Sequence, residues 1–225
     1  MEPNNKRRSG RPKDEALVQR RCEEILEIAA KVFAHYGYRN TDVQMIADKL
    51  QVGKGTIYRY FPSKRELFLA ATDYGMRRFH EQLEREAQVV TDPLAKCAQA
   101  VHSHLAFFDA NPQFVELLIQ ERAEFKDRKR STYFEHCDVD IKPWQELLQK
   151  MIAQGRVRNV PVERLTNVIS DLLYGVIFTP HFAERRESLE VQAKNILDVV
   201  FFGMLSEQER LSRKISVEES SGSSC

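Results

Sequence analysis

TDVQMIADKLQVGKGTIYRYF, residues 41–61, is the stretch that decides the fold of this chain. Thr41-Asp42-Val43-Gln44 reads as a capping box, with the Thr41 hydroxyl taking an orphan amide and the Gln44 side chain reaching back. Val43, Ile46, Ala47 and Leu50 then supply one apolar face over only about two turns. A helix that short is unstable alone and must pack on a neighbour. After Gln51-Val52-Gly53 a second short helix is expected from Lys54 to Tyr60, with Ile57 and Phe61 as its i, i+4 apolar pair. Its other positions, Lys54, Gly55, Thr56, Tyr58, Arg59 and Tyr60, are cations, small residues and hydroxyl-bearing side chains. Two short helices joined by a tight turn make a helix-turn-helix. The second has a composition suited to the major groove: small residues permit close approach, Tyr and Lys reach phosphate oxygens, and Arg and Thr reach base edges.

The flanking sequence supports the same reading. Ile25, Ile28, Ala29, Val32, Phe33 and Tyr36 form a helical stripe, predicting a helix over 19–36 that Gly37 ends as a left-handed cap. Ser63-Lys64-Arg65-Glu66, after Pro62, is a second capping box. It opens a helix to about Ala87 whose stripe includes Leu67, Phe68, Ala71 and Phe79. Five more helices are expected near 93–110, 112–126, 130–155, 162–183 and 188–206, punctuated by Asn111-Pro112, Gly155 and Pro161. The last two are apolar on more than one side, which implies a second buried contact beyond the core.

Charge is segregated along the chain. Residues 1–65 hold 14 Lys and Arg against 8 Asp and Glu, 14 − 8 = +6. The total is +1, so the remainder carries 1 − 6 = −5. A basic head on an acidic body points to a polyanionic partner for the head. Residues 1–18 read as a flexible basic arm with Lys6, Arg7, Arg8, Arg11 and Lys13, and Gly10-Arg11-Pro12 is of the kind that lies in A/T-rich minor grooves. Residues 207–225 read as a solvated tail. No apolar run approaches the ~20 residues of a membrane helix and no secretory signal is visible, so a cytoplasmic location is expected. Cys22, Cys97, Cys137 and Cys225 are scattered, with no zinc-type spacing.

GKGTIYRYFPSKRELF at 53–68, within Thr41 to Phe68, resembles the TetR family of regulators. The Tyr, Phe, Pro, Lys64 and Leu-Phe positions fall in the family's order. The resemblance implies an all-α chain: an N-terminal three-helix helix-turn-helix domain, here 19–62, and a C-terminal helical ligand-binding and dimerisation domain, here 63–206. It implies a homodimer, paired through about 162–183 and 188–206, that binds double-stranded DNA. By the same resemblance Thr41 stands beside a phosphate, Lys54, Gly55 and Thr56 begin the recognition helix, Tyr58 and Tyr60 contact backbone, and Lys64 meets a phosphate. Arg59 occupies a variable position and is assigned to base reading. The candidate DNA-contact set also takes in Gln44 and, from the arm, Arg7, Arg8 and Arg11. Two positions depart from the family pattern: Gln51 stands where Gly is common, predicting a positive φ, and Gly53 replaces Ser or Thr, removing a phosphate-binding hydroxyl.

Phe107, Phe108, Phe114, Leu118, Tyr133, Trp144 and Phe178 are candidate walls for an apolar or amphipathic effector, although aromatic stripes at helical spacing are more often plain core. Arg122 follows Leu118 by four and is expected to reach the same interior or to pair with a nearby acid. His102 and His104 point apart on a helix, and His136-Cys137-Asp138 are neighbours in sequence only, so no metal site is expected. No Gly-rich phosphate cradle, nucleophile elbow or convergent acid–base pair is present, so neither an enzyme nor a cofactor is expected. The reading is a ligand-responsive repressor on a palindromic operator. A regulator without a ligand, a scaffolding regulator and an activator remain alternatives.

Overall fold

The computed structural model describes residues 15–183 and 187–203, and these contain nine helices and no strand. In order they are α1 (Glu15–Asn40), α2 (Val43–Lys49), α3 (Lys54–Tyr60), α4 (Lys64–Gln88), α5 (Pro93–Ala110), α6 (Pro112–Glu124), α7 (Thr132–Ala153), α8 (Val162–Ala183) and α9 (Leu189–Phe202). The fold is all-α, and the punctuation read from the sequence falls between these helices or, for Pro112, at the first residue of α6. Gly37 kinks α1 at φ 78, ψ 156, a positive φ that suits glycine, but it is not an αL cap and does not end the helix, which a further turn carries on to Asn40. Gln51 takes a φ of 54, the positive value its position predicts. Residues 1–14 of the arm, the tail and Cys225 lie outside the described residues; Glu15–Val18, read as the end of the arm, instead form the first turn of α1.

Two compact units divide the chain. One comprises described residues of Met1–His80 with Asn111–Val139, the other Glu81–Ala110 with described residues of Asp140–Cys225. The first therefore holds more than the segment 19–62, because α6 packs on α1 and draws the first half of α4 into the same core. Ile25, Ala29 and Phe33 of α1, Ile46 of α2, Ile57 of α3, Phe68 of α4 and Leu117 of α6 are all buried in it. Burial of such side chains, at about 1.5–3 kcal/mol each, is what holds the two seven-residue helices that cannot persist alone. Aromatic edges knit the unit: Phe68 meets Phe33 at 5.1 Å, Tyr38 at 5.2 Å and Phe125 at 5.4 Å between centroids. Gly75 of α4 is needed where the Phe114 ring crosses it, since a Cβ there would lie 2.3 Å from Phe114 Cδ1.

In the second unit α5 packs on α8 and α9. Val101 and Leu105 of α5 meet Ala193 and Ile196 of α9, with Leu172, Leu173 and Val176 of α8 against them. A separate cluster joins Leu148 and Met151 of α7 to Val162 of α8. Burial pushes the Cys97 thiol beside that cluster up to about 11. No helix among the described residues is long and apolar enough to cross a membrane.

Candidate nucleic-acid interface

The residue that starts α2 is Asp42, not Thr41. Asp42 adopts the extended N-cap conformation, and its Oδ1 accepts from the Gln44 amide at 2.7 Å. Thr41 is buried, and its hydroxyl donates to the Gly37 carbonyl at 2.8 Å, closing the turn that Gly37 opens. The Gln44 side chain does not reach back to a cap; its Nε2 donates forward to Asp48 Oδ1 at 2.7 Å. Thr and Asp are both good caps, and sequence spacing did not separate them. At the next helix start, the Ser63 hydroxyl does cap α4, accepting from the Glu66 amide at 3.1 Å.

Asp42 has a second role. Its Oδ1 also accepts from Lys54 Nζ at 2.6 Å, tying the first residue of α3 to the start of α2. The Gln44 amide and then Lys54 hold the Asp42 carboxyl below its ordinary range, and the same bond raises Lys54. Asp42 is exposed and Lys54 only half-buried, so the pair fixes geometry more than it stabilises.

α3 buries Ile57 and turns the rest outward. Gly55, Tyr58 and Arg59 are exposed, while Lys54, Thr56 and Tyr60 are half-buried. Lys54 Nζ lies 6.0 Å from the Tyr58 ring centre and the Arg59 guanidinium 5.5 Å from that of Tyr60. Gly53 precedes the helix without a side-chain cap. The helix start therefore shows amides and a small Gly55, with Cβ space open at both glycines.

Lys64, a predicted phosphate ligand, is engaged within the protein. Its Nζ donates to the Arg39 carbonyl at 3.1 Å and sits 4.7 Å from the Tyr38 ring centre. Burial lowers its pKa. An ammonium has three donors, so two hydrogens remain beyond the Arg39 bond.

The effector candidates fall in both units. Phe114, Leu118 and Tyr133 are buried in the first, Phe107 and Phe108 in the second, and Trp144 and Phe178 of the second are half-buried. Arg122 does not reach the interior: it is exposed. Its predecessor Glu121 is the buried charge, 1% exposed, because one residue along a helix turns a side chain by about 100°. Glu121 accepts from the Thr132 amide and hydroxyl at 3.0 Å and meets Arg128 Nε at 3.2 Å. His136, which sequence spacing set beside Cys137 and Asp138, pairs at long range instead: its Nε2 is 2.8 Å from Asp73 Oδ1 and its ring stacks on His80 at 5.4 Å. These pairings join residues 11 and 63 apart, and no local spacing announces them.

A helix-turn-helix with this outward face places the chain among known regulators. The family model described as "Bacterial regulatory proteins, tetR family" matches residues 25–71, from α1 into α4. The HTH-type transcriptional regulator YhgD of Bacillus subtilis is 33% identical over 158 residues, covering 68% of this chain and 81% of that protein. The chain belongs to the TetR family. It is thus a DNA-binding transcriptional regulator. Within the family, the transcriptional repressor KstR of Mycobacterium tuberculosis is 26% identical over 161 residues, 70% of this chain and 69% of that one. FadR from Bacillus subtilis, solved in complex with stearoyl-CoA, superposes with a TM-score of 0.66 at 20% identity, covering 81% of this chain and 98% of that one, a likeness of fold.

Proposed function

We propose that this TetR-family chain is a cytoplasmic, ligand-responsive repressor, and not an enzyme, acting as a homodimer on a palindromic operator. The observation that carries the reading is α3: one buried anchor, Ile57, and an outward face of Gly55, Thr56, Tyr58, Arg59 and Tyr60. Tyr58, Tyr60, Lys54 and Lys64 serve the phosphates, with Gln44 beside them. Arg59 and Thr56 read bases, and Thr41 holds the turn that presents α2 to the backbone. Arg7, Arg8 and Arg11 extend the contact into a flanking minor groove.

Dimerisation through α8 and α9 is supported by the apolar side chains they expose, among them Val168, Phe182, Val199 and Phe202. Two recognition helices about 34 Å apart then address half-sites one turn apart. An amphipathic effector is supported by the aromatic interior and by the stearoyl-CoA bound to FadR, a protein of the same fold. Such a ligand shifts the DNA-competent state only by its difference in affinity for the two states. KstR, itself a repressor, supports repression as the outcome.

Selection of bound duplexes from a random pool tests the reading, using the full chain and two variants. Wild type is expected to yield a palindrome. Arg59→Ala should relax base choice at one position per half-site, about 1–3 kcal/mol of discrimination. Tyr58→Phe should weaken all duplexes alike. An unchanged consensus with Arg59→Ala would remove its base-reading role.

A further inference from the structure

We infer that the loop between α6 and α7 is a second DNA-backbone surface, on which Lys126 and Lys129 take phosphates of the duplex flanking the half-site. The inference rests on the DNA-binding reading of α3.

The loop is basic within an acidic body. Residues 124–130, Glu-Phe-Lys-Asp-Arg-Lys-Arg, hold four cations and two acids, 4 − 2 = +2, whereas residues 66–225 together carry −5. The acids of the loop and its ends each have a named cation. Glu124 binds Arg39 Nε through both oxygens at 2.9 Å, and Asp127 pairs with Arg65. Arg128 is turned inward to Glu121 at 3.2 Å and Glu135 at 2.6 Å, and its Nε donates to the Arg130 carbonyl. Lys126 and Lys129 stand exposed on the loop this framework fixes.

The loop is also held beside the helix-turn-helix. Phe125 is buried against Tyr38 at 4.9 Å and Phe68 at 5.4 Å, and the Arg65 guanidinium covers its ring at 5.0 Å. Arg39 and Tyr38 end α1 just before α2, and Lys64 and Arg65 open α4 just after α3. Lys64 bonds the Arg39 carbonyl and feels the charges of both Asp42 and Glu124. Asp42 in turn holds Lys54 on the recognition helix. Lys54, Asp42, Lys64, Arg39 and Glu124 thus form one chain of charges from α3 to the loop, all within one compact unit. A rigid, cationic loop at that position extends the electrostatic footprint along the backbone without reading bases.

The test uses the full chain and a duplex recovered by selection, as its core alone and extended on both sides by about half a helical turn. Wild type should bind the extended duplex about threefold to tenfold more tightly at 0.1 M salt. K126Q/K129Q should reduce that gain to less than about twofold and flatten the log–log salt slope by ~0.9 for each phosphate no longer neutralised. K126R/K129R should keep the gain, as should K142Q/K194Q, which removes two exposed cations from the second unit. A gain that survives in K126Q/K129Q, or an equal reduction in K142Q/K194Q, overturns the inference. Wild type that binds the core tightly but ignores the flanks overturns it too, and leaves the reading of α3 standing. Failure to bind either duplex overturns both.

Discussion

Truncating Phe68 to alanine is expected to lower the unfolding free energy by about 3–5 kcal/mol. Phe68 is fully buried and forms edge or tilted contacts with Phe33, Tyr38 and Phe125. Those rings come from α1, the end of α1 and the exit of α6. The substitution removes transfer free energy and leaves a cavity that α1 and the exit of α6 cannot easily collapse around. Phe68→Leu keeps most of the volume and should cost about 1.5 kcal/mol or less. Urea unfolding followed by helical circular dichroism measures both. A change under about 1 kcal/mol for Phe68→Ala would mean that this aromatic cluster does not hold the unit together.

Glu121→Ala is expected to cost about 2–3 kcal/mol. It strips the acceptor from the Thr132 amide and hydroxyl and one of two carboxylates from Arg128. Glu121→Gln keeps an acceptor oxygen for Thr132 and should cost less. Wild type and Glu121→Gln should also differ in their pH response. Burial raises the Glu121 carboxyl above its ordinary value, ahead of the opposing hydrogen bonds from Thr132. A raised folded-state pKa means that folding takes up a proton. Stability from this group is therefore full below the ordinary Glu value and is lost as pH rises through the raised one. Gln cannot titrate. Melting measured from about pH 4 to about pH 7 should show Glu121→Gln gaining on the wild type as pH rises. A constant difference across that range would contradict the assignment.

The helices were legible because their ends carry chemistry. Pro62, Asn111-Pro112 and Pro161 each remove or redirect backbone hydrogen bonds at the place where a helix stops or starts, and Gly37 kinks α1 one turn before its end. The outward face of α3 was legible because a seven-residue helix with one buried side chain has little else to do with its polar residues. The cap of α2 was not, because Thr41 and Asp42 are adjacent and equally able, and the choice depends on Gly37 four residues back. Spacing from Leu118 allows Arg122 either the interior or a nearby acid, but it is Glu121 that the α6–α7 corner turns inward, against Thr132 and Arg128. The ties from the helix-turn-helix to the α6–α7 loop were not legible either: Arg39–Glu124 joins residues 85 apart and Arg65–Asp127 joins residues 62 apart. Pairs of exposed charges at such distances carry no periodic signal.

Affinity for a selected duplex, measured against salt concentration, tests the DNA-binding mechanism most directly. With about eight phosphates neutralised by Lys and Arg in the proposed dimer, the log–log slope should lie near −7. A flat salt dependence would contradict the assignment of Lys54 and Lys64 to the DNA backbone.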